Sequence, residues 1–461
     1  MTTDPTDRAD LHGRAMQEAM NGLDPEPVIR HAEAAEAEWR TTGIRESIAI
    51  AAAARAAVIN SVGNDPAAAL ALIEAAWSEF SDLETTPAGI ALMSTMARVH
   101  RGLAHHADAL AWIERYMPIA ERHGALPAIA RGILGRGISL LVSGRSREGL
   151  VLLRGAHDLA IGNELEEVEL TARILLTFYA QWGEPAAGLQ IGREGLEIGR
   201  RLGSRSYGFQ MVGNTAMCGL RVGDWDGVAA MLGEWLELET GEARWLELHV
   251  DRALLRAYRG EDSTDDIDHA ARLRAQTTDS QYESYELLAR AARSFATGDL
   301  EVAIDQAEQS VARTDYFAPL AYPLAARAAF WSGSLETAQR INDALAAAAF
   351  WGPALETDRT RIEAGIAAMQ GRGSEALGGF RAALAAFREL DLEFDEAATA
   401  VDAAVLLPPA ERAMPDVAEA IEAARVTLRR LGAAPFLARL DATLIPAAQQ
   451  GPGPVRVGQT V

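Results

Sequence analysis

Arginine is the residue whose recurrence in this chain suggests chemistry. Arg55, Arg136, Arg252 and Arg290 each stand eight residues before a glycine, namely Gly63, Gly144, Gly260 and Gly298. If each glycine closes the first helix of a helical hairpin, the four arginines take one equivalent place in four hairpins and form a ladder along one surface of a stack. A planar guanidinium holds a carboxylate through two parallel hydrogen bonds, so such a ladder suits capture of an acidic segment. Arg327, six residues before Gly333, lies two positions out of that register. The same positions also suit ion pairs to Asp or Glu of the neighbouring hairpin, which would tie the stack together; both readings stay open.

Other reactive groups point less far. His100, His105 and His106 with Asp108 form a histidine cluster, but they flank a turn and lack helical HExxH spacing or a cysteine, so no metal site is assigned. The carboxylates Glu164, Glu166, Glu167 and Glu169, and Asp262, Asp265, Asp266 and Asp268, lack the order of an EF-hand and read as solvated helix faces. The chain contains no lysine. Without a lysine amine there is no phosphate-binding Walker loop and no Schiff-base or pyridoxal chemistry. Cys218 stands alone, which excludes an intramolecular disulfide. With no GxSxG elbow either, the sequence specifies no catalytic residue and no cofactor, and a non-enzymatic role is expected.

The elements that must carry these residues are helices. At 461 residues the chain exceeds one ordinary core, and its abundant alanine favours helix. Gly22, Gly63, Gly102, Gly144, Gly183, Gly223, Gly260, Gly298, Gly333 and Gly371 interrupt the helical pattern every 35 to 42 residues or so, the period of helical-hairpin arrays. Five residues after most of them comes a small or modest side chain: Ala68, Ala107, Gly149, Gly188, Val228, Ala303, Ala338 and Ala376. Seven before, Ala56, Gly137, Ala216, Ala291, Ala326 and Ala364 supply the facing side of a close crossing, where bulk would force the axes apart. Pro408 and Pro409 replace the turn glycine in the last unit, after which closing helices are expected as a cap.

The turn glycine and the small residue after it resemble the tetratricopeptide repeat, most clearly in ATGDLEVAIDQAEQSV and GRGSEALGGFRAAL. The period is longer than that family's, and its closing proline is mostly missing. The segment FRAALAAFRELDLEFDEAATAVDAAVLL, with IEAARVTLRRLGAAPFLARLDATL after it and LHGRAMQEAMNGLDPEPVIRHAEAAEAEW near the start, resembles the repeat arrays of bacterial regulators of the signal-transducing ATPase class. The tetratricopeptide resemblance implies that first helices line a concave side, toward which the position three before the glycine looks. Phe295 and Phe330 hold that position, as groove anchors or as core.

The expected architecture is therefore all-α: a right-handed superhelical solenoid of about ten to eleven tetratricopeptide-like hairpins. A flexible N-terminus over 1–9, hairpins over 10–407, capping helices over 408–446 and a disordered tail over 447–461 are expected. The net charge of −22 repels phosphate backbones and anionic lipid, which argues against direct nucleic-acid or membrane-surface binding. A soluble, cytoplasmic module that binds a protein or peptide partner is the leading expectation. A ligand- or peptide-sensing array within a signal-transducing regulator and an α/α-toroid hydrolase are the alternatives.

Overall fold

The computed structural model describes residues 4–20, 25–61, 65–277, 279–348 and 350–444. Among them are 24 α-helices and three 3-10 turns, with no strand, in the hairpin order of an all-α solenoid. Five hairpins come first: α1 (Pro5–Ala19) with α2 (Pro25–Thr42), α3 (Arg45–Ser61) with α4 (Pro66–Phe80), α5 (Pro87–Gly102) with α6 (His106–His123), α7 (Leu126–Val142) with α8 (Ser146–Gly162), and α9 (Glu166–Ala180) with α10 (Pro185–Leu202). Five more follow: α11 (Arg205–Val222) with α12 (Trp225–Leu236), α13 (Leu246–Arg259) with α14 (Thr264–Arg274), α15 (Ser280–Thr297) with α16 (Leu300–Arg313), α17 (Ala318–Ser332) with α18 (Leu335–Ala347), and α19 (Pro353–Met369) with α20 (Gly373–Glu389). The chain then runs through α21 (Glu393–Leu406), α22 (Pro409–Arg412), α23 (Pro415–Leu431) and α24 (Ala434–Leu444).

Local chemistry sets these boundaries. Asp4 caps α1 by accepting from the Thr6 N–H and Pro5 takes the first helical position, so residues 5–9, expected to be flexible, are helical. Gly144, Gly223, Gly260, Gly298, Gly333 and Gly371 all take left-handed backbone angles at the hairpin turns, as the spacing predicts. Gly102 does not. It lies inside α5, and Ala104 adopts the left-handed angle two residues later. Gly22, Gly63 and the tail over 447–461 lie outside the described residues.

Small residues do sit at the crossings. A Cβ on Gly149 would lie 2.7 Å from the Gly137 carbonyl oxygen, so α7 and α8 touch through backbone. Ala303, Ala338 and Ala376 are fully buried on α16, α18 and α20.

By contact the chain divides into two units, Met1–Tyr179 with Gln190–Met211, and Ala180–Leu189 with Val212–Val461. In the first, alanines and large apolar side chains such as Ile73, Phe80, Leu92 and Met96 interleave between α3, α4 and α5. In the second, the closing helices do more than cap the array. Helix α24 packs on α13 as well as on α21 and α23, and its Phe436 meets Phe295, Trp331 and Phe394 at ring separations of 5.6, 5.6 and 5.2 Å.

Candidate binding site

Each arginine of the expected ladder holds a carboxylate. In the first unit Arg55 reaches Glu33 and Glu36 on α2, both at 3.2 Å, and Arg136 reaches Glu114 on α6 at 2.8 Å. In the second unit Arg252 bonds Asp266 at 2.6 Å, across its own hairpin, and Arg290 bonds Glu286 at 2.7 Å, one turn back on α15. The first two pairs link a hairpin to the one before it; the other two do not.

The remaining expected site residues are interior. Phe295 and Phe330 are each 1% exposed, so neither looks into a solvent-filled groove. Phe295 lies 4.5 Å from the Trp331 ring, and the Phe330 ring fills the space that a side chain on Gly365 would need. The covering by α24 is the reason at Phe295. Arg327 is buried too, its Nε 3.0 Å from Asp402, which also accepts from Arg361 Nη1 at 2.8 Å and from Trp331 Nε1 at 3.1 Å.

Beside that cluster Arg221 bonds Asp358 at 2.8 Å and Asp395 at 2.6 Å. Three buried guanidiniums thus face three buried aspartates drawn from α11, α17, α19 and α21, a balanced set. A cavity of about 60 Å³ lies among Arg221, Tyr258, Arg327 and Phe394. The carboxylates of this cluster, Asp358, Asp395 and Asp402, are each held in an ion pair.

The first unit is built differently. Its helices α1, α3, α5, α9, α10 and α11 surround a cavity of about 390 Å³, closed on one side where Ser206 Oγ donates to the Met20 carbonyl at 3.0 Å. Met16, Met20, Val58 and Leu170 make its apolar wall, and Arg98, Glu167, Ser204 and Tyr207 its polar one. Glu167 is held by Arg131 at 3.0 Å.

Arg98 and Arg101, one turn apart on α5, have no carboxylate or hydrogen-bond partner among the described residues. Burial depresses the Arg98 guanidinium, and Arg131 adds to the effect while Glu167 opposes it. Burial and the neighbouring Arg98 push Arg101 down to about 10. Ser204 is 5% exposed and its Oγ has no partner among the described residues. A half-buried cation without a carboxylate partner and a buried hydroxyl without a hydrogen bond favour an incoming anion that satisfies both.

Arg98 stands four residues before Gly102, not eight, and so lies outside the arginine register. A usable signal was present. Helix α5, PAGIALMSTMARVHRG, carries two arginines and a histidine with no acidic residue to balance them.

No family model matches the chain, and none of the curated proteins does. Solved structures are similar over much of its length. A chain in the crystal structure of the APC/C hetero-tetramer Cut9-Hcn1 has TM-score 0.46 and 15% identity, covering 95% of this chain and 92% of that one. Yeast Tom70 has TM-score 0.36 and 11% identity, over 95% and 98%. A chain in the structure of Naa15/Naa10 bound to HypK-THB has TM-score 0.21 and 13% identity, over 95% and 75%. Among the described residues no helix is long and apolar enough to cross a membrane.

Proposed function

We propose that this protein is a non-enzymatic binding module that captures an acidic protein segment in the cavity of its first unit. The unpartnered Arg98 carries this reading. A carboxylate placed on Arg98 and within reach of Ser204 satisfies two groups that the fold leaves unsatisfied, while an aliphatic neighbour fills the Met16, Met20 and Leu170 wall. The volume, about 390 Å³, is that of a small-ligand pocket and suits one or two side chains rather than a folded domain. Within the first unit, Arg55 and Arg136 already hold carboxylates of this chain and so support the frame rather than the ligand. The resemblance to repeat arrays of signal-transducing ATPase regulators supports reading the capture as reception of a cytoplasmic signal.

Selection of a random-peptide display library on the full-length protein, with counter-selection on Arg98→Ala, tests this. Enriched peptides are expected to share an Asp or Glu beside an aliphatic residue. Loss of one charge-assisted hydrogen-bonded contact, worth about 1.5 to 3 kcal/mol, should weaken them roughly 10- to 150-fold in Arg98→Ala. The melting temperature should hold, because Arg98 has no internal partner to lose. A library that yields no shared sequence, or one that binds the variant equally well, refutes the reading.

A further inference from the structure

Glu239, just after α12, meets His249 of α13 and His269 of α14. The Glu239 carboxylate lies 3.0 Å from His249 Nε2 through one oxygen and 2.6 Å from His269 Nε2 through the other. The two imidazoles are tilted at 43° with centroids 4.3 Å apart, so both Nε2 atoms converge on one carboxylate. His249 is backed by a further carboxylate, Asp266, whose Oδ1 lies 3.1 Å from Nδ1. Asp266 is 1% exposed and is itself gripped by Arg252 at 2.6 Å and Arg256 at 2.7 Å. A histidine whose outer nitrogen faces a fixed carboxylate, leaving Nε2 for a ligand, is the arrangement found around protein-bound zinc.

We propose that Glu239, His249 and His269 bind one divalent transition-metal ion of the zinc class, with a fourth coordination position left to water. Two imidazoles and one carboxylate are the borderline donors that such ions prefer, and hard cations such as calcium or magnesium take all-oxygen shells instead. Zinc bonds of about 2.0 to 2.1 Å at tetrahedral angles separate ligand atoms by roughly 3.3 Å. The observed 3.0 and 2.6 Å must open by roughly 0.3 and 0.7 Å to reach that separation, the larger movement falling on half-buried His269.

Two arginine contacts oppose binding, the longer being Arg252 Nη2 at 3.5 Å from His249 Nδ1. Arg272 donates to His269 Nδ1 at 2.9 Å, and that nitrogen must instead carry the ring hydrogen once Nε2 is a ligand. Arg272 is exposed and can turn into solvent. The other histidine cluster is poorer: His100 Nδ1 and Asp108 Oδ2 are 4.0 Å apart, and His105 and Asp108 are both exposed with no buried carboxylate behind them.

The test uses the full-length protein, stripped with chelator and titrated with zinc by calorimetry and with cobalt by visible absorption. One ion per chain, a Kd at or below about 1 µM and the intense bands of tetrahedral cobalt are expected. His269→Ala and Glu239→Ala, at half-buried positions, should each weaken uptake at least about tenfold while the helical dichroism is kept. Arg272→Ala should leave affinity equal or tighter. The proposal is overturned by no saturable uptake up to about 0.1 mM zinc, by weaker uptake in Arg272→Ala, or by uptake that survives His269→Ala and is lost in His105→Ala.

Discussion

Replacing Asp402 by alanine removes the one carboxylate that accepts from Arg327 Nε, Arg361 Nη1 and Trp331 Nε1 at 3.0, 2.8 and 3.1 Å. Its side chain is 0% exposed, as is that of Arg361, so water cannot take its place without opening the interior. Breaking one buried ion pair costs about 3 to 5 kcal/mol, because the surviving charge stays desolvated. The orphaned Trp331 donor adds about 1 to 3 kcal/mol. These contacts form one network and do not add fully, so the expected loss is about 5 kcal/mol. Asp402→Asn keeps an acceptor but no charge and should fall between the variant and the parent. Asp402→Leu combined with Arg361→Met should lose less than Asp402→Leu alone, since it removes a buried charge together with its partner. Amide hydrogen exchange read by mass spectrometry gives the opening free energy of α17, α19 and α21 directly, without assuming that so long a chain unfolds in one step. A change below about 1 kcal/mol in Asp402→Ala would refute the stabilising role assigned here to the Asp402 contacts.

Glu247, on α13, has its carboxyl pushed from 4.5 up to about 7 by burial and then by the charge of Asp279. A carboxyl raised in the folded state contributes stability that is complete below its unfolded value and is lost as pH rises through the folded one. Glu247→Gln should therefore melt higher than the parent at pH 8, with the difference disappearing near pH 4.5; equal or lower melting at pH 8 would contradict it. Ala303→Leu, at a fully buried crossing of α15 and α16, should cost about 1 to 3 kcal/mol by overpacking, measured from the urea midpoint, whereas a neutral result would mean that the crossing is not there.

The hairpins were legible in the sequence because their causes are local. A left-handed turn selects glycine at Gly298, Gly333 and Gly371 whatever the rest of the chain does, and a close crossing selects small residues at fixed offsets such as Gly149 and Ala303. Even there the rule slipped at Gly102, where Ala104 accepts the left-handed angle and the glycine stays helical. The arginine ladder was legible as a register, but the register holds no information about partners. Arg55 and Arg290 share a position, yet one bonds across to the preceding hairpin and the other one turn back on its own helix.

Only the tertiary structure decided the sites. Arg221 meets partners 137 and 174 residues away, and Phe436 of the closing helix reaches Phe295. Periodicity says which face of a helix is turned inward, and it cannot say which distant helix arrives there. Arg98 is functional in this reading because no carboxylate meets it, and an absence of that kind is a property of the whole neighbourhood rather than of any spacing. Glu239, His249 and His269 converge from a loop and two helices at intervals that match no helical repeat, so packing, and not pattern, brings their ligand atoms within 4.8 Å of one another. Turns and crossings are settled within a few residues of the chain; charge partners and ligand sets are settled by which surfaces are buried against each other once the hairpins stack.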